Sequence, residues 1–309
     1  DQPYLMAASM DLSGVDIKAG VTSLVEVFKS SSPQLGQLIE AGLPLFLQTT
    51  GSSGAYFPGQ LNLAGSLFNA VNVMTVEDPA AYAKAYKDYL ELLGKSRIPV
   101  PVPNADGTGT ETANISFFTQ YNANTTTVDG VAIDQYELRY DFPPAILAQI
   151  NPQLAMLTGM TGQRGYVAQV NGKVIVPSTP DLPTLTQAIA AAKSSKGLSE
   201  NQGITQVRQQ LTSDAAFETY VNLGTIASTA LNMAAAFGQD LGIQVPQNMP
   251  PIGYSLTAAD NGMASRVFFP MPVIVFVKDI SMQFAPLIGG MMDAGEEQND
   301  TGNAPRPPR

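Results

Sequence analysis

Three pairs of acidic side chains are the residues in this sequence with the types and spacing closest to general acid/base chemistry. They are Glu77 with Asp78, Asp88 with Glu91, and Glu296 with Glu297. Catalysis by two carboxylates requires both groups to face one cleft. A helix cap explains the first pair, a solvated helix face explains the second, and a polar tail explains the third. We therefore expect no catalytic dyad among them.

An oxygen-ligated calcium loop is the metal site that the sequence comes nearest to encoding. Side chains with oxygen atoms occupy alternate positions around Gly107, at Asn104, Asp106, Thr108 and Thr110. The EF-hand pattern needs more carboxylates and a closing Glu farther along the chain, and Glu111 comes too early. We interpret the run as part of a polar linker and predict no metal ligands.

Three tyrosines, Tyr82, Tyr86 and Tyr89, repeat at helical spacing and have the aromatic surface needed to stack against a ligand. The same spacing is typical of a helix that packs on a sheet. We favour the second interpretation and expect these rings in the protein core.

The sequence contains neither His nor Cys. This excludes Ser-His-Asp and Cys-His nucleophiles, haem held by His or Cys, and zinc bound through nitrogen or sulfur. Carboxylate acid/base chemistry, Ser-Lys or Tyr chemistry and all-oxygen metal sites remain, and none of them has a strong signal here. We therefore predict no catalytic residue, no cofactor and no metal, and we keep an enzyme only as the third interpretation.

Composition favours a globular protein that does not bind nucleic acid. The 309 residues include 26 acidic and 16 basic side chains, which give a net charge of −10, and 44% of the residues are hydrophobic. That hydrophobic content is sufficient for a buried core. No basic cluster precedes the last few residues, so the chain has no surface suited to a phosphate backbone.

Two hairpins give the clearest signals for the elements that must position any site. Asn171-Gly172 lies between strand patterns at 166–170 and 173–176, and Asp129-Gly130 precedes the strand pattern at 131–140. Both dipeptides tolerate the positive φ angles of a tight turn. In the 131–140 pattern the apolar residues change face, which predicts a one-residue bulge near Asp134 or Gln135.

Helix signals occur at several places along the chain. Asp78 and Pro79 form an N-cap and first turn, with Gly94 as the stop, and Ser199 begins a Ser-x-x-Gln capping box. A helix is also predicted over 15–28 and a short one over 34–41. We interpret the Gly-rich run from Gly51 to Gly59 as a loop.

These patterns predict an α+β fold with antiparallel sheets and helices packed on one face, in two lobes that are related if an internal repeat exists. The predicted organisation is an N-terminal lobe over 1–98, a linker over 99–112, a C-terminal lobe over 113–292 and a disordered tail over 293–309. The strand and helix at 10–28 parallel those at 221–237, but their letters do not match, so the repeat rests on pattern alone.

The segment from Val273 to Met292 is denser in apolar residues than a one-faced helix requires. It is either buried in the centre of the domain or it presents a second apolar face to a partner or a lipid. The most apolar stretch, Val267–Val277, is too short and too rich in proline to cross a bilayer. If the segment is an interface, the candidate contact residues are Val273, Phe276, Ile280, Phe284, Leu287 and Met291.

The stretch from Gly165 to Ser228 resembles a loosely defined bacterial family of exported proteins of unknown function, found for example in planctomycetes. The residues that carry the resemblance are the hairpin Gly165–Val176, the helix Leu182–Ala192, Gly197–Asn201 and Thr219–Leu223. A closing hairpin from Pro251 to Gly262 is also similar. The resemblance implies repeated α+β modules and an extracytoplasmic location, and it implies no activity.

We expect a non-enzymatic structural or assembly protein that acts through protein–protein contacts at the cell envelope. On this interpretation the protein lies in the periplasm or at the cell surface with its signal peptide removed, and its partner is another protein or a second copy of the chain. The second interpretation is a carrier that shelters an apolar small molecule or lipid between its sheet and helices.

Overall fold

The computed structural model describes residues 3–12, 22, 25–30, 32–58, 68–104, 108–148, 162–178, 181–194, 197, 200–236, 238–239, 241–259 and 262–296. Within these residues, eleven strands form one sheet. In chain order they are β1 (Met6–Asp11), β2 (Thr49–Pro58), β3 (Phe68–Val76), β4 (Arg97–Pro103), β5 (Thr110–Val128), β6 (Val131–Asp141), β7 (Gly162–Val170), β8 (Lys173–Pro177), β9 (Phe217–Val221), β10 (Ile252–Ala259) and β11 (Gly262–Phe268).

The strands lie across the sheet in the order β11-β10-β9-β1-β2-β3-β8-β7-β6-β5-β4, and every neighbouring pair is antiparallel. Hairpins join β4 to β5, β5 to β6, β7 to β8 and β10 to β11, while β1 pairs with β9 and β3 pairs with β8 across long separations in sequence. The predicted α+β class is confirmed.

Helices follow the strands at several points. With bounds they are α1 (Pro33–Leu47), α2 (Pro79–Lys95), α3 (Pro144–Leu147), α4 (Leu182–Ser194), α5 (Gln202–Arg208), α6 (Leu223–Ala236) and α7 (Met271–Glu296). Residues 25–30 are also helical, and most of the helix predicted over 15–28 falls outside the described residues. The α2 N-terminus is capped as expected, because the Asp78 carboxylate accepts the backbone N–H groups of Ala80 and Ala81.

Both predicted tight turns are confirmed. Asn171 and Gly172 have φ of 49° and 74°, and Asp129 and Gly130 have φ of 49° and 76°. These are left-handed conformations that Asn, Asp and Gly adopt at low cost. Each turn fixes the pairing of the two strands that it joins.

The irregularity predicted near Asp134 lies in the opposite strand. Between Asn122 and Thr126 the register of β5 shifts against β6, and Asn124 has a φ of 53°. Asp134 stabilises the shift because its carboxylate accepts the Asn124 N–H at 2.8 Å and the Tyr121 hydroxyl. Strand β6 itself pairs with β7 without a shift, so the bulge predicted in it is wrong. Its apolar residues change face because Ile133 packs on the α4 side of the sheet and Tyr136 packs on the α2 side.

Two local predictions were wrong, and a third gave a helix that is shorter than the one observed. The run interpreted as a loop from Gly51 to Gly59 contains most of strand β2, whose neighbours β1 and β3 satisfy its backbone on both sides. The short helix predicted at 34–41 extends over α1 to Leu47. The cap of α5 is Asn201 rather than Ser199, because the Asn201 side chain accepts the Ile204 N–H.

The centre of the sheet is covered on both faces, where we had expected helices on one face. Helix α2 packs on the face that carries Val174 and Val176. Helix α4 packs on the opposite face, against Ile175. Because successive side chains of a strand point to opposite faces, β8 can be apolar from Val174 to Pro177 and bury all four residues.

The residues that we interpreted as a linker over 99–112 fall on the hairpin of β4 and β5, with 105–107 outside the described residues. Strand pairing continues from the first predicted lobe into the second, and the division into lobes stays a prediction. The two segments that suggested an internal repeat contribute the neighbouring strands β1 and β9. The tail predicted from residue 293 begins within the last turn of α7, and residues 297–309 are not described.

Gly165 in β7 lies where the backbone of the next strand and a tyrosine approach closely. A Cβ atom there would lie 2.0 Å from the Pro177 carbonyl oxygen and 2.8 Å from the Tyr136 hydroxyl. We predict that Gly165→Ala destabilises the protein by about 1–3 kcal/mol, because both strands must move. Gly197→Ala is the control, since no atom of the described residues lies within 4 Å of its Cβ position. Urea unfolding measures both, and equal stability of the two variants would contradict the packing described here.

Two tyrosines that pack between α2 and the sheet, Tyr82 of the helix and Tyr136 of β6, predict a loss of stability in alkali. Burial raises the pKa of Tyr82 from 10.0 to about 12. Burial also raises the pKa of Tyr136 to about 12, although a hydrogen bond with Tyr86 lowers it. The folded protein holds these protons more tightly than the unfolded chain, so their contribution is complete below pH 10.0 and is lost as the pH rises through about 12.

Comparison with Tyr82→Phe tests this pH dependence. At pH 10 we expect the wild type and the variant to have the same tyrosinate absorbance for as long as circular dichroism shows that both are folded, because Tyr82 keeps its proton in the folded protein. A difference of one ionised tyrosine in protein that is still folded would show that Tyr82 is accessible to solvent.

Candidate interaction surface

Among its described side chains, from residue 271 to residue 283, helix α7 contacts the core of the chain through one side. Val273 and Phe276 are buried, with 2% and 6% of their surface exposed. They form an apolar cluster with Met249, and the half-buried neighbours of this cluster are Leu223, Ala227, Ile243, Val245, Ile252 and Ile280. This cluster fixes the position of the first half of the helix.

The opposite side of α7 is apolar and exposed. Met271, Ile274, Val275 and Met282 expose 68%, 48%, 48% and 56% of their surface. At 100° per residue these four side chains lie on the face opposite Val273 and Phe276. We call them the α7 row. Because an exposed apolar row gains nothing from folding, its presence calls for a functional explanation.

A groove of about 520 Å³ lies between α7 and the segment 242–246. Ile243, Phe276 and Ile280 form its apolar wall, and Asp279 and Gln283 supply polar groups at its edge. The groove is open to solvent along α7 and is continuous with Val275 of the α7 row.

The sheet is also incompletely covered at its β11 end. On one face, Phe217 of β9 and Tyr254 of β10 pack edge to face with their ring centroids 6.2 Å apart, and both are half-buried. Their neighbours in β11, Met263 and Val267, expose 78% and 49% of their surface. Exposed apolar side chains therefore occur both on this sheet face and on α7.

The structure describes the side chains of three of the six predicted interface residues, and these three contact the core of the chain. Val273 and Phe276 belong to the core of the chain, and Ile280 is half-buried beside them. The side chains of Phe284, Leu287 and Met291 lie outside the described residues. Sequence reasoning missed Met271 and the rest of the α7 row, because apolar residues surround this helix and its sequence does not show which side faces the core.

A buried carboxylate lies in a second, polar groove of about 540 Å³ between α5 and the ends of β1 and β9. Glu218 is 8% exposed and accepts hydrogen bonds from Arg208 Nε at 2.8 Å and from the Tyr220 hydroxyl at 2.9 Å. Ser9 Oγ donates to the same carboxylate at 3.5 Å. Burial raises the pKa of Tyr220 to about 12, and its hydrogen bond with Arg208 acts in the other direction.

This network is structural in its geometry. One oxygen of the Glu218 carboxylate, Oε2, accepts the bonds from Arg208, Tyr220 and Ser9, so the acid is paired with its own cation inside the fold. It joins α5 to β9 and positions the β9 end of the sheet. Neither Arg208 nor Glu218 was singled out from sequence, because their separation of ten residues matches no local motif.

The acidic pairs have the roles expected for them where the structure describes them. Asp78 caps α2, Asp88 pairs with Lys84, and Glu91 pairs with Lys87 on the exposed side of that helix. Among the described residues, no three Asp, Glu, His or Cys side chains lie close enough together to hold a metal ion. The candidate calcium loop lies partly outside them.

No protein-family model and no curated protein matches the sequence. Two crystal structures of TP0453 are similar. Form III is 10% identical, with 90% of this chain and 83% of that chain covered and a TM-score of 0.33. Form I is 11% identical, with 92% and 83% covered and a TM-score of 0.32. At these TM-scores the likeness does not establish a shared fold.

Among the described residues, we find no helix with the length and apolar content needed to cross a membrane.

Arg208→Met tests the structural role of the Glu218 network. The substitution leaves a buried carboxylate without its cation, and we predict a loss of about 2 kcal/mol in the free energy of unfolding. Arg208→Met combined with Glu218→Gln removes both charges and should recover most of that loss. Urea unfolding measures both variants. A double variant less stable than the single one would contradict this account.

Proposed function

We propose that this chain is a non-enzymatic structural or assembly protein of the extracytoplasmic cell envelope, and that it acts through protein–protein contacts made by the α7 row. The observation that carries the proposal is the exposure of Met271, Ile274, Val275 and Met282 on a helix whose other side is anchored in the core. A helix held in this way presents its apolar row in a fixed orientation.

Preorganisation supports a binding role for the row. Val273 and Phe276 already hold the first half of α7, so a partner that covers the row orders few additional residues. Low ordering cost leaves more of the burial free energy for affinity. Apolar helix faces of this kind fit grooves or complementary helices in partner proteins.

Charge favours a protein partner over an anionic membrane surface. Lys278 lies within the exposed side of α7 and Asp279 directly follows it, so this stretch of the helix has no excess of positive charge. The chain as a whole carries a net charge of −10. Helices that bind anionic lipid surfaces typically carry several Lys or Arg on the polar side.

The extracytoplasmic part of the proposal is supported by the resemblance of 165–228 to a bacterial family of exported proteins. The hairpin and helix on which that resemblance rests are present as β7, β8 and α4. Membership of that family and location in the envelope are parts of the proposal.

The groove beside α7 favours a carrier as the second candidate function. Its volume of about 520 Å³ is sufficient for an apolar small molecule, and Ile243, Phe276 and Ile280 form its wall. A carrier would retain a ligand in this groove, whereas an assembly protein would retain a protein on the α7 row.

Native mass spectrometry of the protein isolated gently from its source tests the proposal. We expect the wild type at a multiple of 32.6 kDa or in a stable complex with another protein. Met271→Ser combined with Ile274→Ser should weaken the complex with another protein by about tenfold or more, because both apolar contacts are lost. Both residues are exposed, so the stability of the variant should stay within about 0.5 kcal/mol of wild type.

Leu147→Ser combined with Leu182→Ser is the matched control, because these leucines are 51% and 41% exposed and lie elsewhere. The control should retain the complex. A wild-type monomer that carries a few hundred extra daltons would overturn the assembly role in favour of the carrier. Equal loss of the complex in both double variants would show that the α7 row is not the contact.

A further inference from the structure

The two edges of the sheet differ in what they offer to another strand. Strand β4 forms one edge and β11 forms the other. An exposed edge presents unpaired N–H and C=O groups, and proteins commonly block it with proline or charge. Whether an edge can accept a further strand depends on the residues whose backbone groups point outward.

Proline blocks the β4 edge. The Asn104 N–H donates to the Gly109 carbonyl at 3.0 Å, so this pair is hydrogen-bonded. Hydrogen-bonded pairs alternate along an antiparallel ladder. The backbone groups of Val102, Val100 and Ile98 are therefore the ones that bond to β5. The outward positions are therefore Arg97, Pro99, Pro101 and Pro103. The three prolines have no N–H, so β4 offers no donor from residue 99 to residue 103.

The same alternation identifies the outward groups of β11. The Asn222 N–H donates to Leu5 and the Asp11 N–H donates to Ala216, both at 2.9 Å, which fixes the bonded pairs of β9 with β1. The even-numbered residues of β9 therefore bond to β1, and its odd-numbered residues bond to the even-numbered residues of β10. The odd-numbered residues of β10 in turn bond to the even-numbered residues of β11. The backbone groups that point outward from β11 belong to Met263, Ser265 and Val267.

The β11 edge is open in the part of the chain that the structure describes. All three outward residues can donate an N–H, since none is proline. Every residue from Gly262 to Val267 is exposed, and no strand other than β10 pairs with β11 there. A strand with exposed Met263 and Val267 and a free ladder is suited to pairing with another chain.

We propose that β11 pairs in antiparallel orientation with β11 of a second copy of this chain, about a twofold axis at Ser265. In this register Met263 lies opposite Val267 of the second copy, so the two exposed apolar residues meet. Arg266 lies opposite Ala264 of the second copy and not opposite another arginine. Three bonded pairs form, which amounts to about six hydrogen bonds.

The neighbouring registers are less favourable. Moving the axis to Arg266 places two arginines directly opposite each other, which is repulsive. Moving the axis to Ala264 separates Met263 from Val267 of the second copy. Only Met263 and Ser265 then have a bonding partner within β11 of the second copy, because Val267 lies beyond its end. The sequence of β11 is therefore most complementary to itself at Ser265.

The contrast between the edges also limits the assembly to a closed dimer. A head-to-tail arrangement would place β11 of one copy against β4 of the next and would grow without end. Pro99, Pro101 and Pro103 remove the donors that such a ladder needs. When β11 of one copy pairs with β11 of a second copy, the open edge of each copy is covered. The assembly therefore stops at two copies.

This inference rests on the proposed function in that the chain acts through protein contacts, but it uses a surface separate from the α7 row. Light scattering with size-exclusion chromatography over a range of concentrations tests it. We expect a wild-type mass of twice 32.6 kDa at high concentration. Ser265→Pro removes one outward N–H and should raise the dissociation constant by about tenfold or more. Ser265→Ala keeps the N–H and should remain dimeric.

Single thiols measure the register without disturbing the strand, because the chain has no Cys of its own. Ser265→Cys places two thiols across the axis, where opposed Cα atoms are about 5.5 Å apart and within disulfide range. We expect it to form covalent dimers faster than Ala264→Cys and Arg266→Cys. Each of those two variants places its thiols opposite each other only if the axis lies at the substituted residue. Faster crosslinking by either one would overturn the assignment of the axis to Ser265.

The remaining outcomes separate this inference from the proposed function. A dimer that persists in Ser265→Pro but is lost in the Met271→Ser, Ile274→Ser variant overturns β11 pairing and supports the α7 row. Loss of the dimer in Ser265→Pro with retention in the α7 variant supports β11 pairing. A wild-type monomer at every concentration overturns β11 pairing, while a complex with a different protein would still support the proposed function.

Discussion

Burial of the central strands on both faces is the constraint on which the rest of the structure depends. At β8, Val174 and Val176 pack beneath α2 while Ile175 packs beneath α4, and all three are nearly inaccessible to solvent. A strand in this position needs apolar residues at every place and neighbours that satisfy its backbone on both sides. Near β11 the sheet is less completely covered by helices, and apolar side chains of β11 and α7 are exposed. These exposed side chains form the apolar surface that a partner could bury.

Local chemistry explains which parts of the fold were predictable from sequence. The Asn171-Gly172 and Asp129-Gly130 turns and the Asp78 cap depend on residues adjacent in the chain, so the sequence reports them directly. Strand β2 was missed because Thr49–Gly54 is rich in Gly, Ser and Thr and has little apolar alternation. Its conformation comes from β1 and β3, which are distant in sequence, and tertiary pairing overrides a weak local preference.

The candidate site was predictable in place but not in orientation. Apolar density identified the segment that becomes α7, yet residues on its buried and exposed sides are chemically alike. Val273 is in the core and Ile274 is in solvent, and only the positions of Met249 and Ile252 decide between them. The first two turns of α7, residues 271–277, are apolar on all sides and have no polar face to mark their phase, so the orientation of this segment is a property of the tertiary structure.

The two faces of the sheet near β11 differ in cover, and the Glu218 network lies on the covered one. Glu218, Arg208 and Tyr220 satisfy one another, and they hold α5 over β9 on the face that also contains buried Ser255. On the opposite face, Phe217 and Tyr254 are only half-buried, and α7 is anchored beside Ile252 with its apolar row directed away from its own core contacts. Folding therefore completes one face and leaves the other, together with a donor-bearing edge, as apolar surface. Since such surface is costly in water, its retention is consistent with selection for contact with another protein chain.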